Sequence, residues 1–202
     1  KGLESVRKII EYCIKYNVKT LTIYAFSTEN WKRPIKEVEG LLKLFSESIS
    51  KESKKIHSNN IKLKFIGDTS LLTKALQIKI KEIEKETSRN KRLVLNVALN
   101  YGGRLDIVNS VNTFYNNKKK IKKITEKDIN SGLYTKGQSD VDLLIRTGGQ
   151  QRMSNFLLWQ SAYAELFFSK KLWPDFDEKI FVNALYFFQN TERKFGSVSK
   201  ST

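Results

Sequence analysis

The apolar patterning of this 202-residue chain predicts an α/β fold, with one mostly parallel central sheet flanked by helices on both faces. Three observations carry that prediction. Segments with three- and four-residue apolar spacing alternate with short runs of strand-forming residues. The runs Leu93–Leu99 and Leu143–Ile145 are apolar almost throughout, as strands covered on both faces are. Polar loops bearing glycine and arginine follow the strands, at the sheet edge where ligands of open α/β sheets bind. No internal repeat and no linker composition is present, so one domain covering residues 1–202 is expected.

The elements follow in order. Leu3, Val6, Ile9, Ile10, Cys13 and Ile14 form the stripe of a helix from Leu3 to Tyr16, which Asn17 ends. Val18–Phe26 reads as a strand rich in Thr, Ile and Tyr. The polar segment Ser27–Pro34 then holds a carboxylate, a tryptophan and an arginine. It is either a helix-capping loop or a ligand-binding one, and no core for Trp31 is evident locally. Val38, Leu41, Leu42, Phe45, Ile49 and Ile56 mark a long helix to about Ser58, whose stripe packs on the sheet or lines a hydrophobic tunnel. His57 sits at its carboxyl end, suited to the helix dipole.

Ile61–Ile66 is a strand closed by Gly67-Asp68, and Leu71 to about Thr87 a helix. The buried strand Leu93–Leu99 delivers Asn100-Tyr101-Gly102-Gly103-Arg104-Leu105-Asp106, whose glycines hold a phosphate or simply make a tight turn. The lysine-rich stretch Asn116–Lys123 reads as an exposed loop. Thr125 caps a short helix to Asn130. Glu165–Phe168 is the last strand and Glu178 to about Phe195 the closing helix. Glu165 interrupts an apolar stretch, so its carboxylate must be paired, protonated or metal-bound.

Composition narrows the function. Lys and Arg number 37 against 21 Asp and Glu, a net charge of +16 that implies anionic partners. The aromatics follow core periodicity rather than interleaving with a basic face, which argues against nucleic acid. No apolar run approaches the ~18 residues of a membrane span. A single cysteine precludes an intrachain disulfide and fits a reducing, cytoplasmic compartment. Cys13 lies on an apolar stripe and reads as core.

The stretch Asp142–Phe156 concentrates the chemistry. An apolar strand stops at Arg146 and two glycines, whose amides are open to a ligand. Arg146, Arg152 and Ser154 gather two bidentate donors and a hydroxyl within nine residues, a set that suits a phosphate or diphosphate.

Four segments together resemble the cis-prenyltransferases typified by undecaprenyl diphosphate synthase: Ser27–Pro34, Asn100–Asp106, Arg146–Gly149 with Arg152–Phe156, and Trp173-Pro174-Asp175-Phe176. The resemblance runs from Lys1 to about Gly196. It implies repeated condensation of isopentenyl diphosphate with an allylic, usually farnesyl, diphosphate, each step adding a cis double bond. It implies further that Arg146, Arg152 and Ser154 hold isopentenyl diphosphate, and that Glu165 is a ligand of Mg2+. Ser27, Glu29 and Asn30 are implied as catalytic, Asn30 assisting proton removal, while Trp31 and Arg33 bind substrate. A homodimer with peripheral membrane contact is expected, and the helix from Val38 to Ile56 would wall the tunnel for the growing chain.

Two departures accompany the resemblance. The family's first strand and its Asp-Gly-Asn-Gly-Arg phosphate loop belong upstream of Lys1, and without them little turnover is expected. A non-catalytic partner subunit is the alternative that their absence suggests. Gln150 and Gln151 stand where the family often has a glutamate and a basic residue, commonly histidine.

Overall fold

The computed structural model describes residues 2–117 and 123–193. Their contacts form two compact units, one of residues 2–12 and 139–193, the other of residues 13–138. Helix α1 (Gly2–Lys15) carries the first junction. It stops where Asn17 takes a left-handed φ of 57° and the Val18 N–H returns to the Cys13 carbonyl at 2.9 Å.

The larger unit holds strands β1 (Thr20–Ser27), β2 (Ile61–Ile66) and β3 (Leu93–Tyr101), in the order β1-β3-β2 and parallel throughout. With it are helices α2 (Ile35–Ser58), α3 (Lys74–Glu86), α4 (Gly103–Asn117) and α5 (Glu126–Gly132). β3 lies between two partners, and its Leu93, Ala98, Leu99 and Tyr101 are fully buried. Asn96, in the middle of that strand, is tolerated because its amide donates to Thr22 Oγ1 at 3.1 Å and Gln138 Oε1 at 2.7 Å. The outer edge of β2 is blocked by side chains of the segment behind it. Leu63 N–H donates to Thr87 Oγ1 at 3.1 Å and Phe65 N–H to Glu84 Oε1 at 2.8 Å, which leaves fewer groups to template another chain.

The buried cluster Phe26, Val38, Leu72, Leu76, Ile80 and Leu99 forms the core against which Trp31, Leu42, Phe45 and Phe65 pack. Part of the α2 stripe, Val38, Leu42 and Phe45, packs with this core, which is the first of the two alternatives for it, while Leu41 and Leu44 are exposed. One expectation changes here. Trp31 does have a core to fill, because the strands bring Phe26 and Leu99 together beneath it. α3 also starts later than its apolar pattern suggests. Asp68 accepts from Ser70 N–H at 2.9 Å and closes a separate 3-10 turn over Thr69–Leu71, and Thr73 then caps the helix proper. The lysine-rich stretch falls largely outside the described residues, and its first part, to Asn117, belongs to α4.

In the smaller unit β4 (Leu143–Arg146) and β5 (Glu165–Phe168) pair in parallel, Leu143 opposite Glu165 and Arg146 opposite Phe168. α6 (Glu178–Asn190) is capped by Asp177, which accepts from Ile180 N–H at 2.9 Å. Leu144, Leu157, Phe176, Phe181 and Ala184 are buried in this unit. All strand pairs among the described residues are parallel, as expected, but their ladders close as a three-stranded and a two-stranded sheet rather than one.

Candidate active site

The carboxyl end of β1 departs from regular pairing. Its register against β3 slips between Tyr24 and Phe26 and again between Phe26 and Ser27, a bulge of the kind that re-aims a strand end. Ser27, opposite Tyr101, is the last residue of the ladder, and the chain then winds into a 3-10 helix, Thr28–Lys32. Asn30 Oδ1 accepts from Ser27 N–H at 2.8 Å, so the capping expectation for this segment is realised by one of the residues assigned to catalysis. The Trp31 ring meets Phe26 edge-on at 5.2 Å and donates its Nε1–H to Asn100 Oδ1 at 2.7 Å. Arg33 pairs with Glu37 at 2.8 Å, both side chains about half exposed, and such a pair is worth only ~0.5 kcal/mol.

Glu29 is exposed near Tyr24. Burial first, and then the Glu29 charge, push the Tyr24 phenol up to about 12 against an opposing hydrogen bond with Ser27. Tyr24 is thus a neutral donor, giving its O–H to the Tyr101 carbonyl at 3.0 Å. Nothing in the sequence separates this tyrosine from an ordinary strand residue.

The Asn100–Asp106 segment turns directly from strand into helix. β3 continues to Tyr101, α4 begins at Gly103, and Asp106 N–H returns to the Gly102 carbonyl at 2.9 Å. The buried Asp106 carboxylate accepts from Tyr101 O–H at 2.8 Å and Tyr134 N–H at 3.0 Å.

In the smaller unit the structure brings together the residues expected there. Arg146 Nη1 donates to Ser154 Oγ at 2.6 Å and to the Arg152 carbonyl, and Arg152 Nη1 donates to Gln150 Oε1 at 2.6 Å. The turn is conformationally unusual: Gly148 and Gly149 have φ of 84° and 75°, and Ser154, Asn155 and Leu157 adopt 49°, 63° and 42° without being glycine. Such strain persists where surrounding contacts over-determine the backbone, commonly at ligand sites. Burial, then the charge of Arg152, lower the Arg146 pKa from its ordinary value, and an arriving anion relieves the second effect. One expectation is corrected. The glycine amides are not open to a ligand, because Gly148 N–H donates to the Lys171 carbonyl at 2.7 Å and Gly149 N–H to Ser169 at 2.9 Å. The chain beyond β5 saturates them, leaving side chains to supply the donors.

Glu165 is also less buried than its apolar neighbours suggest, with its side chain 23% exposed. Its Oε1 lies 3.9 Å from Arg193 Nε, while the same guanidinium holds Asp142 Oδ1 at 2.8 Å. Pairing therefore accounts for the carboxylate without a metal. Because Arg193 is held more closely by Asp142, Glu165 also fits a single-carboxylate ligand for a hard cation that takes its other oxygens from a diphosphate and water.

A family model described as "Putative undecaprenyl diphosphate synthase" matches residues 1–196. The ditrans,polycis-undecaprenyl-diphosphate synthase ((2E,6E)-farnesyl-diphosphate specific) of Pasteurella multocida is 47% identical, covering 98% of this chain and 85% of that protein. The corresponding synthase of Buchnera aphidicola is 44% identical over 100% of this chain and 82% of its own. Among solved structures, a probable undecaprenyl diphosphate synthase from Campylobacter jejuni superposes with a TM-score of 0.89 at 35% identity, covering 97% of this chain and 92% of that one. Lavandulyl diphosphate synthase from Lavandula x intermedia, in complex with dimethylallyl diphosphate, gives 0.91 at 32% identity, covering 97% and 86%. These relatives are synthases in their own right, which lends no support to the partner-subunit alternative. With the Arg146–Arg152–Ser154 cluster on a strained turn and a match along nearly its whole length, the chain belongs to the undecaprenyl diphosphate synthase family of prenyltransferases.

Proposed function

We propose that this chain acts as one prenyltransferase domain that condenses isopentenyl diphosphate with farnesyl diphosphate, repeatedly and in cis configuration, to build a polyprenyl diphosphate. The observation that carries this reading is the set gathered on one turn, in which the Arg146 guanidinium holds the Ser154 hydroxyl and the Arg152 backbone carbonyl while Gln150 holds the Arg152 guanidinium. A diphosphate is the ligand whose charge and several acceptor oxygens satisfy them together.

In each cycle the allylic C–O bond breaks, diphosphate leaves, a carbon–carbon bond forms and isopentenyl diphosphate loses a proton. Arg146, Arg152 and Ser154 orient isopentenyl diphosphate and lower the entropy cost of the encounter. The proposal gives the Ser27–Arg33 segment its own roles: Asn30 assists removal of the proton, Ser27 and Glu29 support it, and Trp31 and Arg33 bind substrate. Glu165 would hold Mg2+, whose chemistry is to neutralise diphosphate charge as the leaving group departs. Each added unit buries five carbons, roughly 3–4 kcal/mol at ~0.8 per carbon, which favours elongation until an apolar tunnel walled by α2 is full.

The net charge of +16 supports peripheral contact between a cytoplasmic enzyme and acidic headgroups. Among the described residues no helix is long and apolar enough to cross a membrane. A homodimer is part of the same proposal. The test incubates the complete gene product with labelled isopentenyl diphosphate, farnesyl diphosphate and magnesium, and sizes the lipid. A ladder of polyprenyl products that disappears with a chelator is expected. A folded protein that incorporates no label would refute the proposal.

A further inference from the structure

We infer that Asn100 is a positioning residue, whose buried amide fixes the Ser27–Arg33 segment to the end of the central strand. The side chain is used at both ends. Its Oδ1 accepts from Trp31 Nε1–H at 2.7 Å and its Nδ2 donates to the Asp68 carbonyl at 2.7 Å. An indole N–H only donates and a carbonyl only accepts, so these partners determine which end of the amide is which. The backbone adds a third tie, from Asp68 N–H to the Asn100 carbonyl at 3.2 Å. Asn100 is 2% exposed and has a φ of 49°, a conformation that asparagine tolerates better than most residues. One residue thus joins the end of β3, the residues after β2 and the indole of the 3-10 helix.

The consequence concerns the residues on either side of Trp31. Its ring is wedged on Phe26 and its nitrogen is anchored on Asn100, so the indole cannot turn without breaking both contacts. Asn30 precedes it, and Arg33 N–H donates back to the Asn30 carbonyl at 3.0 Å. Holding the indole therefore holds the short helix that presents Asn30 and Arg33. No simple replacement reproduces both halves of the amide. Aspartate keeps the acceptor but turns an oxygen toward the Asp68 carbonyl, and leucine keeps the shape but loses both bonds.

The catalytic meaning of this anchor rests on the function proposed above, whereas the anchor itself can be tested without turnover. Asn100→Gly is the informative variant, since glycine accepts the left-handed φ and only the amide is lost. In the unaltered protein, the nitrogen-15 resonance of the Trp31 indole, assigned by its loss in Trp31→Phe, should show slow hydrogen exchange. In Asn100→Gly that exchange should rise at least about tenfold and kcat/KM should fall about ten- to hundredfold, the scale expected for small misplacements of catalytic groups. Trp31→Phe should add little to the Asn100→Gly loss if the two act as one unit. An unprotected indole in the unaltered protein overturns the inference, as do unchanged turnover in Asn100→Gly and losses that simply add. A protected indole, released in Asn100→Gly, in a protein that makes no polyprenyl product would support the anchor and refute the proposed activity instead.

Discussion

Replacing Gly67 by alanine should destabilise the larger unit far more than its position at a strand end suggests. Gly67 closes β2 with a φ of 123°, and a Cβ there would lie 2.2 Å from the Leu99 carbonyl oxygen, 2.9 Å from that of Asn100 and 3.1 Å from the Asn100 carbonyl carbon. All three obstacles are backbone of the central strand, so relief requires the ends of β2 and β3 to separate. The backbone conformation alone costs about 1–3 kcal/mol for a residue with a side chain. Separation also breaks the two bonds between Asp68 and Asn100, at about 0.5–1.5 kcal/mol each. The sum is about 2–6 kcal/mol, a large share of the ~5–15 kcal/mol of a typical domain. Urea unfolding followed by circular dichroism measures it, with Gly40→Ala in parallel. Gly40 lies in α2, where an added methyl group would meet nothing within 4 Å, so that change should gain about 0.5–1 kcal/mol. A loss below about 1 kcal/mol for Gly67→Ala would refute the claim that the two strand ends are locked together.

Gln150→Glu places a carboxylate on Arg152 in place of the neutral acceptor at 2.6 Å; by competing with the substrate it should raise KM for isopentenyl diphosphate about two- to fivefold, with little change in kcat, in initial-rate assays. Glu165→Gln leaves Arg193 on Asp142 at 2.8 Å, so the fold should survive, whereas the magnesium concentration for half-maximal turnover should rise at least about tenfold. Burial raises the Cys13 thiol from 9.0 to about 12. A folded-state pKa above the unfolded value stabilises fully below the unfolded value, so this contribution is present up to pH 9 and is lost as pH rises through about 12. Tyr24 acts in the same direction between 10.0 and about 12. The urea midpoint should therefore decline through this alkaline range, and thiolate absorbance of the folded protein should appear only as pH nears about 12; a thiolate near pH 9 in the folded protein would contradict the burial of Cys13.

Features governed by neighbours along the chain are legible in the sequence. The bounds of β2 follow directly from Ile61–Ile66, the stop of α1 from Asn17, the cap of α5 from Thr125, and the end of β4 from Arg146. The Arg146, Arg152 and Ser154 cluster belongs with these, because the three residues sit on one turn and local spacing brings them together. Tertiary structure alone decided the partners of these elements. It tied the Gly148 and Gly149 amides to Lys171 and Ser169, paired Glu165 with an arginine beyond α6, and put Phe26 beneath Trp31. It also joined Trp31 to Asn100 across 69 residues of sequence. Periodicity, caps and turns are short-range interactions that residue type and spacing determine. Which buried donor meets which acceptor depends on strand order and register, and these are settled only when distant segments pack.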